Sequence, residues 1–123
     1  MKSVILDTSF ILTCIRNKID FFREISEKGF AIIIPREVKE EIKRVANSRK
    51  KLKFREEAQI ALLLLKIHKF KKINIRKKSV DKGLIEYALK NPNVIVATLD
   101  KEIQNKLPIS KLIIRGKKKL ELQ

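Results

Sequence analysis

The side chains best equipped for chemistry in this chain are its acids. The 123 residues carry thirty Lys and Arg against fourteen Asp and Glu, so carboxylates at structurally exact places stand out against a cationic background. There are four aspartates, Asp7, Asp20, Asp81 and Asp100. Asp7 follows the apolar run Ser3-Val4-Ile5-Leu6, and Asp100 follows Val94-Ile95-Val96-Ala97 after Thr98-Leu99. At about 100° per helical residue, Asp81 shares a face with Leu84, Ile85, Ala88 and Leu89, while Glu86 projects elsewhere. By the same reading Glu41 flanks the stripe Val38, Ile42, Val45 more closely than Glu37 or Glu40. Each acid also has an ordinary reading. Asp7 and Asp100 are of the type that caps helices, Asp81 suits the positive end of a helix dipole, and Glu41 sits among solvated charges beside Lys39 and Lys43. Taken together, four carboxylates bordering one end of a fold repel each other and are costly to bury. A divalent cation with oxygen ligands resolves that cost, and Mg²⁺ or Mn²⁺ suits a carboxylate set without Cys or His.

The elements that must position these acids can be read from periodicity. Short apolar β-branched runs predict strands over 3–6, 30–34, 72–76, 94–97 and 112–114. Helical spacing and capping residues predict helices over 10–15, 19–28 (stopped by Gly29), from Pro35 to about residue 46, over 55–70, from a Ser79 cap to about residue 91, and over 100–107. Strands and helices alternate throughout, which predicts an α/β domain with a central, mainly parallel sheet flanked by helices. In such sheets ligands bind beyond the carboxyl ends of the strands, where Asp7 and Thr98-Leu99-Asp100 fall. The length suits one domain over 1–123, with three Gly and three Pro offering no linker. Residues 116–123 read as a basic C-terminal tail, either mobile or docked.

Composition excludes several classes. Hydrophobic residues make up 44% of the chain, enough for a core despite 36% charged residues. The longest apolar run, 60–65, is far short of a membrane span, and the first residues lack a signal-peptide pattern; a cytoplasmic protein with no membrane partner is expected. A single cysteine, Cys14, excludes an internal disulfide, and with a single histidine, His68, it excludes a zinc site of the usual ligand set. Both read as structural or surface residues, and the six phenylalanines as core.

The formal charge of +16 points to a polyanion, with nucleic acid first. The cations fall in blocks: Arg49, Lys50, Lys51, Lys53 and Arg55; then Lys66, Lys69, Lys71, Lys72, Arg76, Lys77 and Lys78; then Arg115, Lys117, Lys118 and Lys119. Such blocks fit phosphate contacts, which give affinity without sequence readout. A solvated Lys-rich surface is the plainer alternative.

These residues also carry a family resemblance. Val4-Ile5-Leu6-Asp7-Thr8-Ser9 resembles the opening of PIN-domain nucleases. Ile34-Pro35 with Val38 and Glu41-Ile42 is similar to their second motif, Val80-Asp81 with Leu84-Ile85 and Ala88-Leu89 to their third, and Val94 onward through Thr98-Leu99-Asp100-Lys101 to their fourth. The order and spacing match over nearly the whole chain. The fourth motif, the basic helix after it and the 112–122 end are most similar to the archaeal and eukaryotic ribosomal-RNA-processing branch; toxins of toxin–antitoxin pairs are a less close likeness. Where many relatives have two adjacent acids at the third motif, Asp81 is followed by Lys82.

The resemblance implies a single PIN-like domain and a metal-dependent endoribonuclease. Asp7, Asp81 and Asp100 would hold one or two Mg²⁺ or Mn²⁺ ions, with Glu41 binding directly or through water. Ser9 and Thr98 would orient the carboxylates, although plain capping explains them equally well. RNA is the implied partner, and a homodimer, an antitoxin or a ribosome-assembly partner are further options. Two other functions are open on the sequence. One is a non-catalytic RNA-binding assembly factor. The other is a receiver-type phosphotransfer protein, which lacks its acidic pair and would be unusual at +16.

Overall fold

The structure, a computed structural model, describes residues 2–76, 79–99, 101–106, 111–116 and 118–123; at 81, 102, 103 and 106 the description stops at the backbone. Six strands and six helices follow one another as β1 (Ser3–Leu6), α1 (Thr8–Arg16), α2 (Phe21–Glu27), β2 (Ala31–Pro35), α3 (Arg36–Ala46), α4 (Leu52–Ile67), β3 (Lys71–Ile73), α5 (Val80–Lys90), β4 (Val94–Ala97), α6 (Lys101–Lys106), β5 (Lys111–Arg115) and β6 (Lys119–Leu122). The strands form one sheet in the order β3-β2-β1-β4-β5-β6. The first five are parallel, and β6 pairs antiparallel with β5. The predicted α/β architecture with a mainly parallel sheet is the one observed.

The central strands are apolar on both faces because helices cover both. Val4, Leu6, Ile32 and Ile34 turn toward α1, α3 and α4, meeting Phe10, Cys14, Val38, Ile42, Ala58 and Ala61. Ile5, Ile33, Val94 and Val96 turn the other way, toward Leu84 and Ala88 of α5. Full burial of each such side chain contributes about 1.5–3 kcal/mol. Burial also pushes the Cys14 thiol well above its ordinary range, helped by the nearby Glu24 carboxylate, which fits a core residue and not a nucleophile. Among the described residues no helix is long and apolar enough to cross a membrane.

The sheet order decides where a site can form. After β1 the chain builds outward through β2 and β3, then returns across β1 to add β4, β5 and β6 on its other side. The reversal lies between β1 and β4, whose carboxyl ends open the crevice characteristic of a topological switch point. The two strands are locked in register from Ser3 opposite Val94 to Leu6 opposite Ala97, and the Asp7 amide continues the ladder to the Ala97 carbonyl at 3.1 Å.

Several boundaries depart from the sequence expectations for identifiable reasons. Pro35 is the last residue of β2, opposite Ile73, and also the N-cap of α3; its φ of −61° and ψ of 145° serve an extended residue as well as a helix start. The expected 72–76 strand stops at Ile73, because the amides of Ile75 and Arg76 bond the Glu37 carboxylate at 3.2 and 3.3 Å and Arg76 takes a φ of +52°. Leu89, assigned to the inner stripe of α5, is 57% exposed; among the described side chains of the helix, Leu84 and Ala88 are the fully buried ones. Residues 119–122, expected to be part of a tail, form β6. Gly116 supplies the positive φ of +61° that the turn needs, the Lys118 amide closes on the Arg115 carbonyl at 3.2 Å, and the Leu120 amide bonds Glu24 of α2 at 3.0 Å.

Gly83 marks a tight crossing. A Cβ there would lie 2.6 Å from Ile75 Cδ1 and 3.1 Å from its Cβ. The missing side chain lets the connection from β3 pass over α5 beside its first turn, where Asp81 resides.

Candidate active site

Asp7 stands at the mouth of the β1–β4 crevice and is 6% exposed. It caps α1 from an extended backbone, but its Oδ1 accepts from the amide of Thr8 at 2.8 Å, whereas an ordinary cap accepts from the second or third helical amide. Its Oδ2 accepts from the Ser9 hydroxyl at 3.2 Å and from the Thr98 hydroxyl at 3.1 Å. Thr98 comes from the end of β4 and is fully buried, so this bond joins the two strands at the switch point. Three donors therefore fix the carboxylate in one orientation and compensate its burial.

Glu41 arrives from α3. Its Oε1 accepts from the Thr8 hydroxyl at 2.8 Å, which places the second carboxylate one residue along from the first. Thr8 thus serves both acids, its amide to Asp7 and its hydroxyl to Glu41. Sequence reasoning missed Thr8. Its signal was faint: a hydroxyl at the first position of a helix whose cap is a strand-end acid. Gln104 was missed too; it ties α6 to the end of β4 by donating to the Thr98 carbonyl at 2.8 Å.

Asp81 lies in the first turn of α5, after a Ser79 cap whose hydroxyl oxygen accepts from the Lys82 amide at 3.4 Å; its side chain lies outside the described residues, as does Asp100. The structure thus brings together Asp7, Glu41, Ser9 and Thr98, and puts the backbone of α6 directly after position 100. Among the described residues no group of three or more candidate ligands gathers around one point. The donors that do gather are carboxylate oxygens backed by hydroxyls, a set that fits a hard divalent cation and not zinc or copper.

The predicted cations do not share one face. Arg49, Lys50, Lys51 and Lys53 are exposed around the α3–α4 turn, where Lys53 lies over the Phe54 ring at 5.5 Å. Lys71 and Lys72 are exposed on β3. Arg115 lies on β5, toward the opposite edge of the sheet, and its guanidinium is held by Glu121 at 2.8 Å, so it is less available for phosphate than its sequence block suggests. Lys77, Lys78 and Lys117 lie outside the described residues. His68 caps the end of α4 and stacks on Phe22 with ring centroids 4.2 Å apart, an exposed structural contact.

Comparison with known proteins agrees with this geometry. A ribonuclease of Methanocaldococcus jannaschii, Ribonuclease VapC4, is 36% identical over 128 residues, covering 99% of this chain and 97% of that protein. The solved structure of the PIN domain endonuclease Utp24 superposes with a TM-score of 0.78 at 25% identity, covering 98% of this chain and 90% of the other. The family described as the PIN like domain matches residues 4–116, a span holding all four motif acids. The chain therefore belongs to the PIN-like domain family and is a nuclease of the hydrolase class.

Proposed function

We propose that this protein is a divalent-metal-dependent endoribonuclease that hydrolyses RNA phosphodiester bonds at a site formed by Asp7, Glu41, Asp81 and Asp100. The observation that carries this reading is the pairing of Asp7 and Glu41 through Thr8 at the switch-point crevice, with Asp7 fixed from the far side by Thr98. An acid that merely capped a helix would have no use for a donor from the end of a second strand or for a second acid brought in from another helix. Asp7, Asp81 and Asp100 would hold Mg²⁺ or Mn²⁺, with Glu41 direct or through water; when bound, the ion acidifies water and neutralises charge developing on the phosphate.

The chain's own residues supply the rest. Ser9 and Thr98 keep Oδ2 of Asp7 aimed into the crevice, as hydrogen-bonded supports of a ligand do. Thr8 holds Glu41 at a set distance from Asp7, so that the two carboxylates move as a unit. Free lysines around the fold attract the polyanion without reading its sequence. Ribosomal RNA is the substrate we favour, on the resemblance of the fourth motif and of residues 112–122. For a homodimer, the best-placed surface is α4. The apolar run 60–65 splits, with Ala61 and Leu65 in the core and Ile60 and Leu63 at 47% and 62% exposure, and Ile67 extends that outer stripe.

The test is incubation with a structured ribosomal RNA transcript and Mn²⁺ or Mg²⁺, with and without EDTA, alongside Asp7→Asn and Asp100→Asn. Discrete fragments that need metal and both acids are expected. Cleavage that survives EDTA and both substitutions refutes the site. RNA binding without any cleavage instead indicates the assembly-factor function, and growth arrest on expression of the chain alone indicates a toxin normally restrained by a partner.

A further inference from the structure

α3 has two flanks, and one of them carries Glu41 toward Thr8 and Asp7. On the other flank, between α3 and the edge strand β3, lies a cleft of about 430 Å³. Arg36, Lys39 and Lys43 of α3 line one wall and Phe70 and Lys72 the other, with Glu40 as the sole carboxylate. Glu40 is already tied to Arg36 at 2.9 Å, and among the described residues no ion pair engages Lys39, Lys43 or Lys72.

We propose that this cleft is a binding subsite for a single-stranded segment of RNA lying beyond the cleavage centre. The proposal rests on the ribonuclease reading and adds a place where the substrate is held. Its chemistry is that of single-strand recognition: cations to track the backbone and an aromatic face for a base. Phe70 was expected to be core, and one side of it is, packed toward Phe22 at 6.5 Å between centroids; it is partly buried, and its remaining surface lines the cleft. The volume is in the range of small-ligand sites, so it admits a base with its phosphate. With Glu40 held by Arg36, the three lysines, which no ion pair engages among the described residues, favour a polyanion here. Lys66 and Lys69 are exposed just before Phe70 in the chain, outside the lining of the cleft.

The experiment measures binding of a fluorescent 15-nucleotide single-stranded RNA in EDTA across a series of KCl concentrations. The parent is compared with Lys39→Gln/Lys43→Gln/Lys72→Gln, with Phe70→Leu and with Phe70→Tyr. The triple variant should flatten the slope of log K against log salt by about 2, at roughly 0.7 per lost phosphate contact. Phe70→Leu, which keeps the apolar packing, should weaken binding about tenfold at unchanged slope, and Phe70→Tyr should restore it. Melting temperatures identify any variant whose loss comes from unfolding, and the tyrosine variant keeps the test of stacking intact in that case. Parental RNA affinity in both the triple variant and Phe70→Leu overturns the cleft alone, since cleavage at the acids is measured separately. If Phe70→Leu has no effect and polyglutamate competes through the same lysines as strongly as RNA, the occupant is an acidic polypeptide and the RNA subsite is overturned. A parent that neither binds nor cleaves RNA overturns the cleft and the ribonuclease reading together.

Discussion

Replacing Asp7 by Asn and by Ala separates what this acid does for folding from what it does for chemistry. In the native state the carboxylate accepts from the Thr8 amide and from the Ser9 and Thr98 hydroxyls, between 2.8 and 3.2 Å. Asn retains a carbonyl oxygen for the Thr8 amide. Its NH₂ group replaces Oδ2, and the two hydroxyls rotate to accept from it, since a hydroxyl both donates and accepts. What is lost is the charge assistance of these three bonds, roughly 1 kcal/mol each. What is gained is relief from holding an anion at a site 6% exposed, of similar size. The net change should lie within about 1 kcal/mol, or about 3–4 °C in Tm for a domain of this size. Ala removes the acceptor of the three bonds named above, about 1 kcal/mol apiece, so a loss of at least about 3 kcal/mol and roughly 10 °C is expected. Thermal unfolding in EDTA measures both, and RNA cleavage in Mn²⁺ should be absent from both. At a hundredfold excess over its Kd, metal should stabilise the parent by about 2.7 kcal/mol and the Asn variant by clearly less. The reasoning fails if Asn and Ala destabilise equally, or if the Asn variant cleaves RNA and shows the parental metal shift.

Further expectations concern the supports. Thr8→Val, which keeps the β-branched shape but removes the donor to Glu41, should lower kcat more than it raises KM, because it misplaces a carboxylate without touching substrate; equal changes in both would remove Thr8 from the site. Gly83→Ala gains about 1 kcal/mol of helix propensity but must displace Ile75, at about 1–3 kcal/mol, so a modest net loss is expected that Ile75→Ala relieves in a double-mutant cycle; additive effects would show that the crossing is loose. The Cys14 thiol should resist alkylation at pH 8 until the chain unfolds. Because its folded pKa is raised, its contribution to stability is full below the ordinary thiol range and falls as pH rises above about 8.5; fast labelling of the native protein would contradict its burial. Glu121, bonded to Arg115, is held below the ordinary glutamate range. Its contribution to the β5–β6 hairpin is therefore present above that range and lost as pH falls through the lowered value, a midpoint that NMR should see rise in Arg115→Gln.

What the sequence determined by itself was set by local periodicity and by residue types at element ends. Val94–Ala97 is a strand at the expected residues because a short β-branched run is bounded on both sides by turn and capping residues, and the assignment needs no information from elsewhere. Helix α3 likewise turns Val38 and Ile42 inward and Glu41 to one flank, which the 3.6-residue period dictates before any packing. The resemblance of the four motifs added the family. Tertiary structure decided everything that depends on which segments become neighbours. β6 carries two charged residues and one buried leucine, Leu120, and becomes a strand only because β5 offers an open edge and Glu24 of α2 receives its amide. The sheet order, and with it the switch point that joins Asp7 to Thr98, follows from the crossover back over β1, for which no local signal exists. Thr8 acquires its bridging role only when α3 packs beside α1. The cation blocks, contiguous along the chain, are dispersed between sheet edges by the same strand order, while Lys39, Lys43, Phe70 and Lys72, scattered along the chain, are brought to one cleft. Period specifies which way a residue faces; only the packed fold specifies what it meets there.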